Sequence, residues 1–131
     1  MKKSVFKYIL TTVLVLVMAV AFADVFDDVV VAMKAQSAKD IGKLMNTSVE
    51  LTINDNEGVY SKQQAEIMLR NFFAQNQPKT ITIQHKGSSG QGAKYAIAIY
   101  ESAQGKFRVY IFMKDNGSGA ALIHEMRIEK E

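Results

Sequence analysis

The chain's two histidines, His85 and His124, both fall on the apolar phase of a predicted strand. An imidazole facing a cavity can act as a general base or hold a metal. The same ring at a sheet margin, bonded to a backbone group or water, does no chemistry. No carboxylate is identifiable as a partner for either ring. A metal centre needs a third and fourth ligand, and no His, Asp or Glu lies at a spacing that supplies them. The expectation is therefore no catalytic residue, no metal and no cofactor. A carboxylate or Tyr hydroxyl within hydrogen-bond reach of either ring is the observation that would favour a lyase or isomerase using a cavity histidine. Asp27 and Asp28 are adjacent, so on a helix they diverge and read as an acidic first turn. Gly87–Gly92 is glycine-rich but leads into a strand without the Lys-Ser/Thr of a phosphate loop, so it reads as a hairpin loop. Asn54–Gly58 lacks the acidic spacing of a calcium loop and reads as a turn. The absence of Cys excludes thiol catalysis, thiolate zinc sites and disulfides.

The elements that would carry these residues follow from period. Val25, Phe26, Val29, Val30 and Met33 recur at helical spacing, and Ile41, Leu44 and Met45 give a short second helix. Val49, Leu51 and Ile53 alternate as a strand. Ser61-Lys62-Gln63-Gln64 is a capping box opening a helix whose apolar stripe is Ala65, Met68, Leu69, Phe72 and Phe73, stopped by Asn76-Gln77-Pro78. Thr80–Lys86, Ala93–Glu101, Lys106–Lys114 and Ala120–Glu129 then alternate, separated by short turns, which predicts a four-stranded antiparallel meander. One phase of these strands holds Ile81, Ile83, His85, Tyr95, Ile97, Ile99, Phe107, Val109, Ile111, Met113, Leu122, His124, Met126 and Ile128. This phase is predicted to be the core face. The other holds Ala96, Ala98, Tyr100, Arg108, Tyr110, Phe112, Ile123, Glu125 and Arg127. It is less polar than a solvated face should be, so Tyr100, Tyr110, Phe112 and Ile123 are expected to form an interface. Met fills irregular space and adapts to varied ligands. A pocket against the helices would use Met33, Met68, Phe72, His85, Tyr95, Met113 and His124.

Of 131 residues 48% are apolar and 22% charged, one domain's worth. The net charge of +3 comes from Lys2, Lys3 and Lys7; without them the remaining basic residues balance the 13 acidic ones. Electrostatics then give no argument for nucleic acid. Those lysines precede an apolar run from Tyr8, and Ala21 and Ala23 stand third and first before a cut, the pattern of an export signal over residues 1–23. The run to Ala23 is shorter than the roughly 20 residues of a spanning helix, so cleavage and no stable membrane anchor are expected. The remainder, 24–131, is expected to be a single domain, periplasmic or secreted.

The order helix, short helix, strand, turn, helix, four antiparallel strands resembles the NTF2-like superfamily, a cystatin-like α+β cone. Ala38–Leu44, Val49-Glu50-Leu51, Tyr60–Ala65, Leu69–Phe73 and His124–Ile128 resemble, more narrowly, the exported Bacteroidetes proteins grouped as DUF4783, a domain of unknown function. The superfamily resemblance implies a curved sheet around the long helix, a cavity at the wide end and frequent dimerisation through the sheet. It fixes no function. Catalytic members of that superfamily place a carboxylate base and an acid donor in the cone, and the predicted core face holds neither. The expectation is a non-catalytic binding protein, taking an apolar small molecule in the cone, or a second copy or another envelope protein at the sheet face.

Overall fold

The computed structural model describes residues 24–131; the export signal expected at 1–23 lies outside them. Three helices, α1 (Val25–Lys34), α2 (Ala38–Lys43) and α3 (Lys62–Gln75), accompany six strands. These are β1 (Met45–Ile53), β2 (Asn56–Ser61), β3 (Pro78–Gly90), β4 (Ala93–Ser102), β5 (Gly105–Asp115) and β6 (Ala121–Lys130). They form one curved sheet in the order β2-β1-β6-β5-β4-β3. The expected meander is present as β3 to β6, and every pairing is antiparallel except β1 with β6. That parallel pairing joins the first hairpin to the meander. β2 departs from the turn expected over Asn54–Gly58: the turn is only Asn54-Asp55, and the chain runs extended from Asn56 to Ser61 before the helix begins.

The caps fall where side-chain chemistry dictates. Ser61 accepts from the Gln64 N–H while Gln64 accepts from the Ser61 N–H, starting α3. Asp24 caps α1, its Oδ1 accepting from Phe26 N–H at 3.0 Å and its Oδ2 accepting from Lys86 Nζ at 2.7 Å. The Lys86 hydrogen bond, then that backbone N–H, hold the Asp24 carboxyl below its ordinary value. A lowered carboxyl adds stability above its unfolded pKa, lost as pH falls through the folded one. Asp24→Ala should cost about 1 kcal/mol in thermal unfolding at neutral pH, and the gap from the parent should narrow on acidification below pH 4.

All three helices pack on one face of the sheet. Phe26, Val29 and Met33 of α1, Ile41 of α2, and Leu69, Phe72 and Phe73 of α3 meet buried residues of β1, β3, β4, β5 and β6 in one apolar cluster. Among the described residues no polar or charged residue is buried. The β5 face is as expected, with Phe107, Val109, Ile111 and Met113 inward. On β4 the expected phase is inverted: Ala96, Ala98 and Tyr100 face the helices, while Tyr95, Ile97 and Ile99 face out. The reason is space. Phe72 and Phe73 lie against Tyr100, leaving small side chains as the neighbours that let helix and sheet approach.

On β3 and β6, bulges break the period. The register shifts between Ile83 and His85, so Ile81 and Ile83 point in but His85 points out. On β6 the register jumps between Phe112 and Met113, so Ile123 and Met126 both point in.

Candidate functional site

These inversions decide where the anticipated site residues sit. Of the pocket set, Met33, Phe72 and Met113 are buried in the common core. Met68 is half-buried at its margin, beside Phe72 in an open groove of about 470 Å³ shared with Asn54, Asp55 and Asn56 and the end of α3. His85, Tyr95 and His124 are on the other side of the sheet or at its irregular edge, so the seven do not line one cavity. Of the interface set, Tyr110 and Phe112 face outward, whereas Tyr100 and Ile123 are fully buried. Tyr100 belongs to the core: its ring sits 5.4 Å from Phe72 and 6.1 Å from Phe107, and its hydroxyl donates to the Asn76 carbonyl at the end of α3.

What the structure does assemble is an outer sheet face organised in rows. Tyr95 lies opposite Phe112, which lies opposite Glu125; Ile97 opposite Tyr110, opposite Arg127; Ile99 opposite Arg108, opposite Glu129. β4 and the middle of β5 thus contribute a half-buried apolar strip of Tyr95, Ile97, Ile99, Tyr110 and Phe112. The charged residues flank it along β6. Tyr95 and Tyr110 stack at 6.3 Å, and the Tyr95 hydroxyl lies 3.0 Å from His85 Nε2, in hydrogen-bond contact. The Tyr95 ring occupies the place a Cβ would take at Gly87, its cross-strand neighbour, so any larger residue there displaces the ring. Arg127 Nε donates to Glu125 Oε1 at 2.7 Å, which raises the arginine's pKa further above its ordinary value. Desolvation, then the Glu125 charge, push the Tyr110 phenol up, so it stays protonated. Arg108, Tyr110, Glu125, Arg127 and Glu129 line an open depression of about 380 Å³.

Chemically this face offers apolar contact, aromatic edges and paired charges of both signs. His85 does have a Tyr hydroxyl within reach, the feature that favours acid–base chemistry, but the pair stands on an exposed strand surface. Glu101, a carboxylate at a strand end, accepts from the Thr80 hydroxyl at 2.8 Å and lies 3.6 Å from Lys106. The described residues hold no group of three His, Asp or Glu placed to bind a metal.

Comparison with known proteins agrees with the fold just described. The domain of unknown function DUF4783 matches residues 26–129. The chain belongs to the DUF4783 family. Among solved structures it is similar to a DUF4783 protein of Bacteroides ovatus at 28% identity and TM-score 0.74, over 79% of this chain and 93% of that one. A DUF4783 protein of Bacteroides uniformis gives 26% and 0.76, over 82% and 98%. The crystallised relatives therefore correspond to this domain over nearly their whole length. An NTF2-like design matches at TM-score 0.62 with 11% identity, over 78% of this chain and 90% of that one, a likeness of fold alone. No curated protein matches the chain. The DUF4783 domain here is thus an NTF2-like α+β fold with helices on one face of a curved six-stranded sheet.

Proposed function

We propose that this DUF4783 protein is an exported, non-catalytic binding module that works through its outer sheet face, and that the face's first partner is a second copy of the chain. The observation that carries the reading is the strip of five large apolar side chains, Tyr95, Ile97, Ile99, Tyr110 and Phe112, in register on two central strands. A sheet covered by helices on one side only would ordinarily place polar residues there. Interface cores favour this mix of aromatic and aliphatic groups with arginine at hand.

The charges argue for self-association. Arg108 and Arg127 stand beside Glu125 and Glu129 on one face, so a second copy turned about a two-fold axis can set arginines against glutamates. A face of one sign would instead suit an oppositely charged partner. Export through residues 1–23 would bring the module to the periplasm or beyond.

A second reading, an acid–base enzyme, rests on the His85–Tyr95 hydrogen bond. It is weaker because that pair stands on an exposed strand surface. A small apolar ligand in the cone would have to enter at Met68, since the rest of the anticipated lining is packed core or lies on the other face.

Tyr110→Glu combined with Phe112→Lys tests the reading. Each new charge stands opposite a neighbour of the other sign, Arg127 and Glu125, which spares the fold. Sedimentation velocity at tens of micromolar should show a dimer for the parent chain and a monomer with unchanged circular dichroism for the variant. A parent that sediments as a monomer, or a variant that stays dimeric, would refute the proposal.

A further inference from the structure

The connection from β5 to β6 runs Asp115-Asn116-Gly117-Ser118-Gly119, and Asn116-Gly117 is the only Asn-Gly pair in the chain. Residues 116–119 are exposed. An asparagine amide followed by glycine is open to attack by the next backbone nitrogen, because no Cβ shields that nitrogen. Gly117 has φ 95, in the left-handed region, and nothing lies within 4 Å of where its Cβ would stand. The space around the nucleophile is therefore clear.

Hydrogen bonds act on both reacting groups. The Gly117 N–H donates to Asp115 Oδ1 at 2.8 Å, so the nitrogen's proton already points at a carboxylate. Asp115 Oδ1 is held in place by a second donor, the Gly119 N–H at 3.1 Å. The Ser118 hydroxyl and N–H donate to Asn116 Oδ1 at 2.6 Å and 3.2 Å. Two donors on one amide oxygen stabilise the negative charge that gathers there when its carbon is attacked. The bond from the Ser118 N–H is an Asx turn, which folds the Asn116 side chain back over the intervening Gly117 nitrogen. Base, nucleophile, electrophile and oxyanion donors thus stand together within residues 115–118.

We propose that Asn116 is a self-modification site, converted by its own loop to a succinimide and then to aspartate or isoaspartate. The Gly117 nitrogen attacks Asn116 Cγ, and the N–Cγ bond forms as the nitrogen's proton passes to Asp115. The Cγ–Nδ2 bond then breaks, and the amide leaves as ammonia with that proton returned from Asp115. Water opens the imide: cleavage at Cγ gives aspartate, and cleavage at the Asn116 main-chain carbonyl gives isoaspartate. Nothing is oxidised or reduced. Either product adds a carboxylate beside Asp115. Isoaspartate also routes the main chain through Cβ and Cγ, lengthening the β5–β6 connection by one methylene. The site does not depend on the dimer reading, because no residue of the apolar strip takes part.

The test is incubation of the purified protein at neutral pH, with peptide mass mapping of Asn116 over time. A synthetic peptide of residues 112–122 gives the rate for the same sequence without the fold. Loss of ammonia at Asn116 should run at least about fivefold faster in the folded protein than in the peptide. Ser118→Ala and Asp115→Asn, each compared with its own peptide, should each remove most of that advantage. Ser118 is exposed, so its replacement decides if Asp115→Asn does not fold. A folded rate equal to or below the peptide's would overturn the proposal. An acceleration that either folded variant retains would overturn it too.

Discussion

Tyr100→Ala should cost about 3–5 kcal/mol of stability, the scale for removing a large buried ring. The side chain is fully buried and joins its own strand to two other elements: to α3 through Phe72, Phe73 and, by its hydroxyl, the carbonyl of Asn76 at the helix end, and to β5 through Phe107. Tyr100→Phe keeps the ring and loses the hydroxyl, and should cost about 1–2 kcal/mol because the Asn76 carbonyl is left without that donor. Burial also pushes the Tyr100 phenol from 10.0 up to about 12. From pH 10 upward the unfolded chain therefore releases a proton that the folded chain retains. Stability is fully present below pH 10 and falls as pH rises towards 12. Urea unfolding between pH 8 and pH 12 should show that fall, and Tyr100→Phe should make it shallower. A variant with the parent's stability and the parent's alkaline profile would contradict the packing described for Tyr100.

Ile123→Lys should unfold the domain, while Phe112→Lys should leave it folded. The two positions share a phase in the sequence, yet they end on opposite faces. Ile123 is fully buried, aligned with Met45 and Met113, with its N–H donated to the Leu44 carbonyl at 2.7 Å. An unpaired ammonium there costs on the order of 5 kcal/mol, comparable with the whole stability of a small domain. Phe112 is half-buried on the outer face, where a lysine meets Glu125 across the strands. Circular dichroism melts of the two variants read this directly. Equal damage at both positions would mean that the face assignment of β6 is wrong.

That contrast also marks how far the sequence could be read. Element order apart from β2, the α3 capping box, the acidic start of α1 and the β3–β6 meander are legible because each rests on a local signal: a spacing, a cap, a turn. The β5 face was legible because Arg108 and Lys114 interrupt it on one side only. β4 was not, because Ala96 and Ala98 are as apolar as Ile97 and Ile99. What chose between them was the volume left beside Phe72 and Phe73, a tertiary fact. His85 and His124 went astray for a shared reason: one extra residue in a strand reverses every side chain beyond it, and no local signal announced either bulge. The β1–β6 parallel pairing joins residues 75 to 78 positions apart, beyond the reach of any local pattern. The alternation puts Tyr110 and Phe112 on the outer face, where they stand, but puts Tyr95, Ile97 and Ile99 in the core, whereas they face out beside them.

The outer face of β4 and β5 as a contact between two copies is the centre of this account. Mixing isotope-labelled and unlabelled chains and recording filtered NOEs between them tests it most directly. Intermolecular contacts are expected among Ile97, Ile99, Tyr110 and Phe112. An absence of intermolecular contacts, or contacts arising instead from α1 or from the Met68 groove, would contradict it.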